Sequence, residues 1–144
     1  MGDKYSRSET RDNRCFNFGE VWQAKDKQVR LLPTDRIKYD RNFHEFRPVV
    51  IVQNCLENAD EDYTTILVAP LSHRIEFEQA FDVVLFPATE EEQNDGVKEK
   101  CMVQIYLTQP IMKVDLEKRL CEISDDKKTE IIATMQTMFG IPND

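Results

Sequence analysis

The sequence predicts a mainly β domain, a small barrel or curled sheet of about five to seven strands, capped by one C-terminal α-helix. Three observations predict it. Short β-branched runs, among them Val49-Val50-Ile51-Val52 and Thr64–Leu71, recur between polar turns and are too short for helices. Apolar residues at helical spacing are confined to the tail, where Ile131, Met135, Met138 and Phe139 form one stripe. Strands and helices do not alternate, so a parallel sheet with helical crossovers is not expected. A chain of 144 residues fits one domain, read as an N-terminal arm over 1–18 and a single domain over 19–144.

The elements follow in order. Residues 1–17 are polar and aperiodic, and read as a flexible or loosely docked arm. Gly19–Ala24 gives a first, weak strand after a glycine. Residues 25–46 are a polar connection with Pro33, longer than most loops of compact domains. Pro48–Gln53 reads as a buried strand opened by a proline, where the missing N–H is tolerated. After the acidic turn 54–63, Thr64–Leu71 is the next strand. Phe77, Phe81 and Val83–Phe86 suggest a third strong one, ended by Pro87 and the acidic loop 88–96. Met102–Leu107 is the fourth, with Ile111–Val114 extending it past Pro110. Ser124 is a natural N-cap, Asp125 and Asp126 favour the first turn of the last helix, and Gly140 and Pro142 stop it.

Composition removes several function classes. No apolar run approaches the ~20 residues of a membrane helix, and the first residues lack an apolar signal core, so a cytoplasmic protein without a membrane partner is expected. Cys15, Cys55, Cys101 and Cys121 have neither zinc-knuckle nor redox spacing and read as free thiols. With His44 and His73 the only histidines, no metal site is expected, and four scattered glycines make no phosphate loop. Glu90-Glu91-Glu92 reads as a solvated acidic loop. The net charge of −8 counts against a wholly nucleic-acid-binding surface. That charge is uneven, however. Residues 25–47 hold seven basic and four acidic side chains, whereas 55–100 hold three and twelve. Either this basic segment is a solvated loop with a chance excess of charge, or an anion site is restricted to the rim around Arg47.

Two strand-end groups could carry chemistry there: Arg47 beside Pro48, and Ser72-His73-Arg74 after Leu71. If their strands are antiparallel neighbours, the start of one meets the end of the other. In an extended chain Ser72 and Arg74 share a face and His73 points away. A forked guanidinium and a hydroxyl make a phosphate-binding pair. A structural arginine tying down a loop, with a serine closing a strand, explains the same residues. So does His73 as a general acid or base, if the strand is bulged.

Phe46-Arg47-Pro48-Val49-Val50-Ile51-Val52-Gln53-Asn54 resembles the arginine–proline strand of the MazF/PemK-type toxins of type II toxin–antitoxin systems. Ile66–Ser72 resembles their following strand, Gly19-Glu20-Val21-Trp22 their opening one, and Leu120–Gly140 their C-terminal helix. The resemblance implies an SH3-like barrel, a homodimer and a cytoplasmic endoribonuclease without metal or cofactor. Its substrate would be single-stranded RNA, and a cognate antitoxin would neutralise it. It also implies Arg47 and Ser72 as catalytic residues; around them, Arg74, His73, Gln53, Arg41 and Lys38 are expected to bind substrate. Two departures motivate a second reading. The 25–46 connection is longer than the family's and lacks its glycine, and Gln109–Asp115 lacks an expected arginine. In that reading the same fold is a non-catalytic protein-binding module, of the gyrase-poison CcdB kind or a degenerate homologue.

Overall fold

In the computed structural model, which describes residues 4–31, 43–87 and 95–142, the β-branched runs occupy the centre of one curled sheet. The strands are β1 (Glu20–Lys25), β2 (Phe46–Ile51), β3 (Thr65–Ser72), β4 (Asp82–Leu85), β5 (Cys101–Gln104), β6 (Gln109–Met112) and β7 (Leu116–Glu122). A single helical turn, α1 (Cys55–Asn58), follows β2, and α2 (Asp125–Met138) ends the chain. The order is β4-β5-β3-β2-β1-β7, with every strand pair antiparallel and β6 set beside β3.

β3 is shared between two partners. Its first half, Thr65–Val68, pairs with β6, and Leu71 and Ser72 pair with Val103 and Met102 of β5. The sheet therefore folds over along β3 and buries both faces of its middle strands. Val49, Val50 and Ile51 are all fully buried, which is why they form an apolar run rather than an alternation. Val50, Leu71 and Val21 face a core closed by Ile131 of α2. Val49, Ile51, Trp22 and Val68 face a second core, roofed by Phe16 and Val29. Removing most of a fully buried side chain such as Ile131 costs roughly 2–5 kcal/mol.

Four features differ from expectation. The mainly β architecture with its C-terminal helix is present, but among the described residues the sheet does not close into a barrel. Among the described residues β7 pairs only with β1, and β4 only with β5. Second, Pro48 lies inside β2 opposite Gln23 rather than opening the strand. Third, Met102–Val114 is not one strand. β5 stops at Gln104, Ile105–Leu107 forms a 3-10 turn that Thr108 closes by donating from Oγ1 to Ile105 O at 2.6 Å, and β6 returns to β3. Fourth, β7 is a strand that the sequence does not signal, because Glu117–Leu120 is exposed and this charged edge strand lacks an alternating apolar face.

The helix follows its punctuation. Ser124 Oγ accepts the Lys127 N–H at 3.4 Å, Ile131 is buried, and Met135 and Met138 pack beside it. Phe139 leaves the stripe: it is the C-cap, 70% exposed, where the chain turns away at Gly140 with φ +75°. Residues 12–18 lie against the sheet. Phe16 is fully buried and meets Trp22 edge-on at 4.7 Å, with the Arg14 guanidinium 5.1 Å above the Phe16 ring.

Candidate active site

β2 and β3 pair as Val49↔Pro70, Val50↔Ala69 and Ile51↔Val68. The pairing ends at Val49 and Pro70, and its register, if continued by two residues within both strands, is the one in which Arg47 falls opposite Ser72. Directly opposed residues share a face with Cβ atoms about 5 Å apart. The face is that of the second core, because Val49 and Val68 have the same parity. The antiparallel pairing puts Arg47 and Ser72 at the same end of β2 and β3.

Arg47 is anchored by a residue that the sequence did not single out. Its Nε donates to Asp26 Oδ1 at 2.8 Å, with the Arg47 side chain 19% exposed and that of Asp26 fully buried. Asp26 Oδ2 accepts the backbone N–H of His44 at 2.8 Å, and Asp26 N donates to Glu45 O at 3.2 Å. A buried carboxylate is tolerable only when paired and hydrogen-bonded in this way. Among the described residues Nη1 and Nη2 of Arg47 make no hydrogen bond, so two forked donors remain for a ligand.

Nothing local in Lys25-Asp26-Lys27 marks the aspartate; only its burial does. The stretch after it crosses the same sheet face to a second anchor. Gln109 Oε1 accepts the Arg30 N–H and Nε2 donates to Arg30 O, both at 2.8 Å, while Nε2 also reaches Leu107 O at 3.0 Å. Val29 is buried beneath the crossing. Asp26 and Gln109 thus peg the two ends of the described start of the β1–β2 connection.

Ser72 Oγ accepts the backbone N–H of Arg74 at 3.2 Å. A hydroxyl that accepts there keeps its own proton for a second partner. The same bond turns the chain. Arg74 has φ −86° and ψ 61° and begins the 3-10 turn Ile75–Phe77. The extended run stops at Ser72, so the expected shared face of Ser72 and Arg74 does not carry past the strand, and the Arg74 residue is exposed.

The remaining sequence-derived residues are not gathered at this point. His73 lines a cavity of about 310 Å³ with Pro48, Leu71 and Cys101, which lies on the sheet face opposite to that of Arg47. Its Nδ1 is 3.4 Å from Glu99 Oε1, both side chains exposed. Gln53 follows the far end of β2, where its Oε1 accepts the Leu67 N–H at 3.1 Å. Lys38 and Arg41 lie outside the described residues.

Comparison with known proteins identifies a family and a fold. Residues 25–139 match the family of PemK-like, MazF-like toxins of type II toxin–antitoxin systems. No curated protein matches the sequence. Among solved structures, an endoribonuclease from a mycobacterial species superposes with a TM-score of 0.62 at 15% identity, covering 91% of this chain and 97% of that one. The Mycobacterium tuberculosis toxin MazF-mt6 gives 0.61 at 15% identity, over 86% and 99% of the two chains. A MazE–MazF structure from Deinococcus radiodurans gives 0.61 at 15% identity, over 90% and 99%. At such identity the likeness is one of fold.

Proposed function

Because the chain belongs to the PemK-like, MazF-like toxins of type II toxin–antitoxin systems, we propose that it is an endoribonuclease of single-stranded RNA. The observation that carries this reading is the location of Arg47 and Ser72 at the same end of the antiparallel pair β2 and β3, with Arg47 held from behind by Asp26. The substrate supplies its own nucleophile. The ribose 2′-hydroxyl attacks the adjacent phosphorus, the 5′-oxygen leaves, and the products end in a 2′,3′-cyclic phosphate and a 5′-hydroxyl. The protein must hold the strand and stabilise the charge that builds on the phosphorane oxygens.

Arg47 offers Nη1 and Nη2 to two of those oxygens, and the Ser72 hydroxyl donates to a non-bridging one. A guanidinium stays protonated and so has no site to take the 2′-hydroxyl proton. We assign that proton to solvent, which also protonates the leaving 5′-oxygen, and to Arg47 the stabilisation of charge. No step of this scheme calls for a metal or cofactor. Arg74, Arg41 and Lys38 are assigned to binding the strand, and His73 and Gln53 to its more distant parts.

The same reading makes the protein a cytoplasmic homodimer neutralised by a cognate antitoxin. It is supported by one similar structure described as an endoribonuclease in complex with its cognate antitoxin, at 16% identity and a TM-score of 0.58. No helix among the described residues is long and apolar enough to cross a membrane. To test the reading, the protein is incubated with single-stranded RNA in EDTA and the product ends are identified. Cyclic phosphate ends, and no cleavage where the scissile nucleotide is 2′-deoxy, are expected. Uncut RNA overturns it.

A second reading draws on the exposure of Ile132 and Phe139, at 49% and 70%, on and just beyond α2. There the fold binds a protein through its last helix and cuts nothing. Retention of a topoisomerase on immobilised protein, with uncut RNA, selects it.

A further inference from the structure

The N-terminal arm and the segment that begins at α1 run side by side. Gly19 N donates to Ile51 O at 2.8 Å. Cys15 lies four residues before the first of these and Cys55 four residues after the second. Farther along, the two segments are tied again. The fully buried Lys113 donates from Nζ to Asp12 O at 3.1 Å and to Asp60 O at 2.9 Å, and Arg11 pairs with Glu61. Between these ties Cys15 and Cys55 occupy matching positions on the two neighbouring segments, the first exposed and the second half-buried.

We propose that Cys15 and Cys55 form a reversible disulfide by exchange with a low-molecular-weight disulfide of the glutathione type, fastening the arm to the start of α1. Cys15, the exposed thiol, reacts first. It loses its proton to solvent and its thiolate attacks one glutathione sulfur; the glutathione S–S bond breaks and one glutathione thiolate leaves. Cys55 then loses its proton and attacks Sγ of Cys15 in the mixed disulfide. The Cys15–Cys55 bond forms, the second glutathione thiolate leaves, and both thiolates take protons from solvent. The two cysteines are oxidised by two electrons and the glutathione disulfide is reduced to two thiols.

The Cys55 thiol alongside, then burial, then the Glu20 charge hold the Cys15 thiol above its ordinary range. Exchange is therefore slow at neutral pH and quickens as pH rises. Cys101 does not compete, because it is buried and burial pushes its thiol up to about 12. The covalent loop closed by the bond runs from 15 to 55 and contains Asp26 and Arg47, so it restricts the unfolded chain around both.

The test is incubation of the full chain with glutathione disulfide at mildly alkaline pH, followed by peptide mapping without reduction and by thermal unfolding. We expect a peptide linking Cys15 to Cys55 and a melting temperature higher by roughly 5–10 °C, reversed by dithiothreitol. In Cys55→Ser, glutathione should stay on Cys15 and the melting temperature should not rise. Stable glutathione adducts on wild-type Cys15, cysteines that all remain thiols, or a first-formed link through Cys101 or Cys121 would overturn the proposal.

Discussion

Asp26 holds Arg47 from behind. One carboxylate oxygen takes the guanidinium Nε at 2.8 Å and the other takes the His44 N–H at the same distance. The pairing fixes the direction of the guanidinium without using its two terminal nitrogens. It also makes the candidate site depend on the connection that carries Asp26, and not on β2 and β3 alone.

Asp26→Ala is therefore expected to lower kcat on RNA about a hundredfold or more with a smaller change in KM, because Arg47 loses its orientation. It should also destabilise the fold by roughly 3 kcal/mol, since a partly buried cation and the His44 N–H lose their partner. Single-turnover cleavage and urea unfolding check the two parts. Undiminished cleavage would show that Asp26 does not position Arg47.

Ser72→Ala removes one donor aimed at the scissile phosphate. A fall in kcat of about a hundredfold is expected, with a stability change of about 1 kcal/mol or less, because only the Arg74 N–H loses an acceptor. Ser72→Thr restores the hydroxyl and should recover most of the rate. A threonine variant as slow as the alanine one would place the role of Ser72 in the turn rather than in catalysis.

The two faces of the sheet make a separate prediction. His73 opens onto the cavity opposite to the face of Arg47, and its pairing with Glu99 is exposed. His73→Ala should change the cleavage rate by about twofold at most and stability by about 0.5 kcal/mol or less. A loss as deep as that of Ser72→Ala would require His73 to act at the phosphate.

Asp82 gives a pH-dependent prediction. It is buried in β4, its Oδ2 accepts the Gln79 N–H at 2.9 Å, and among the described residues its Oδ1 has no hydrogen-bond partner. Burial, helped by the nearby Glu78 charge and opposed by the Gln79 N–H, raises its carboxyl above the ordinary 3.8. A raised carboxyl binds its proton more tightly when folded, so ionised Asp82 costs stability above its folded pKa. That cost fades as pH falls toward 3.8. Asp82→Asn should then stabilise the protein at pH 7 by roughly 1 kcal/mol and leave it unchanged below the ordinary carboxyl value. Denaturant unfolding at both pH values reads the difference; an equal gain at each would contradict it.

The strands with β-branched runs and the capped helix were legible because burial wrote a period or an apolar run into them. Val49–Ile51 and Ile131 are examples. β7 was not legible, since an edge strand carries charge instead of alternation. The break after Gln104 was missed because Ile105 is as buried in its turn as it would be in a strand. Closure failed for a similar reason: an apolar face shows that a strand is covered, not which edge it pairs with. At the candidate site, Arg47 and Ser72 could be found from their places at strand ends. Asp26 could not. A single acid between two lysines reads as solvated surface, and only the tertiary path of the connection buries it against Arg47.

The central claim is that Arg47 drives cleavage of single-stranded RNA by stabilising charge. It is tested most directly by comparing wild-type protein with Arg47→Lys on one RNA in EDTA, alongside urea unfolding of both. Lysine keeps a positive partner for the buried Asp26 but lacks the fork, so the variant should fold and cut about a thousandfold more slowly than wild type. A folded Arg47→Lys protein that cuts as fast as wild type, or a wild-type protein that cuts no RNA at all, would contradict it.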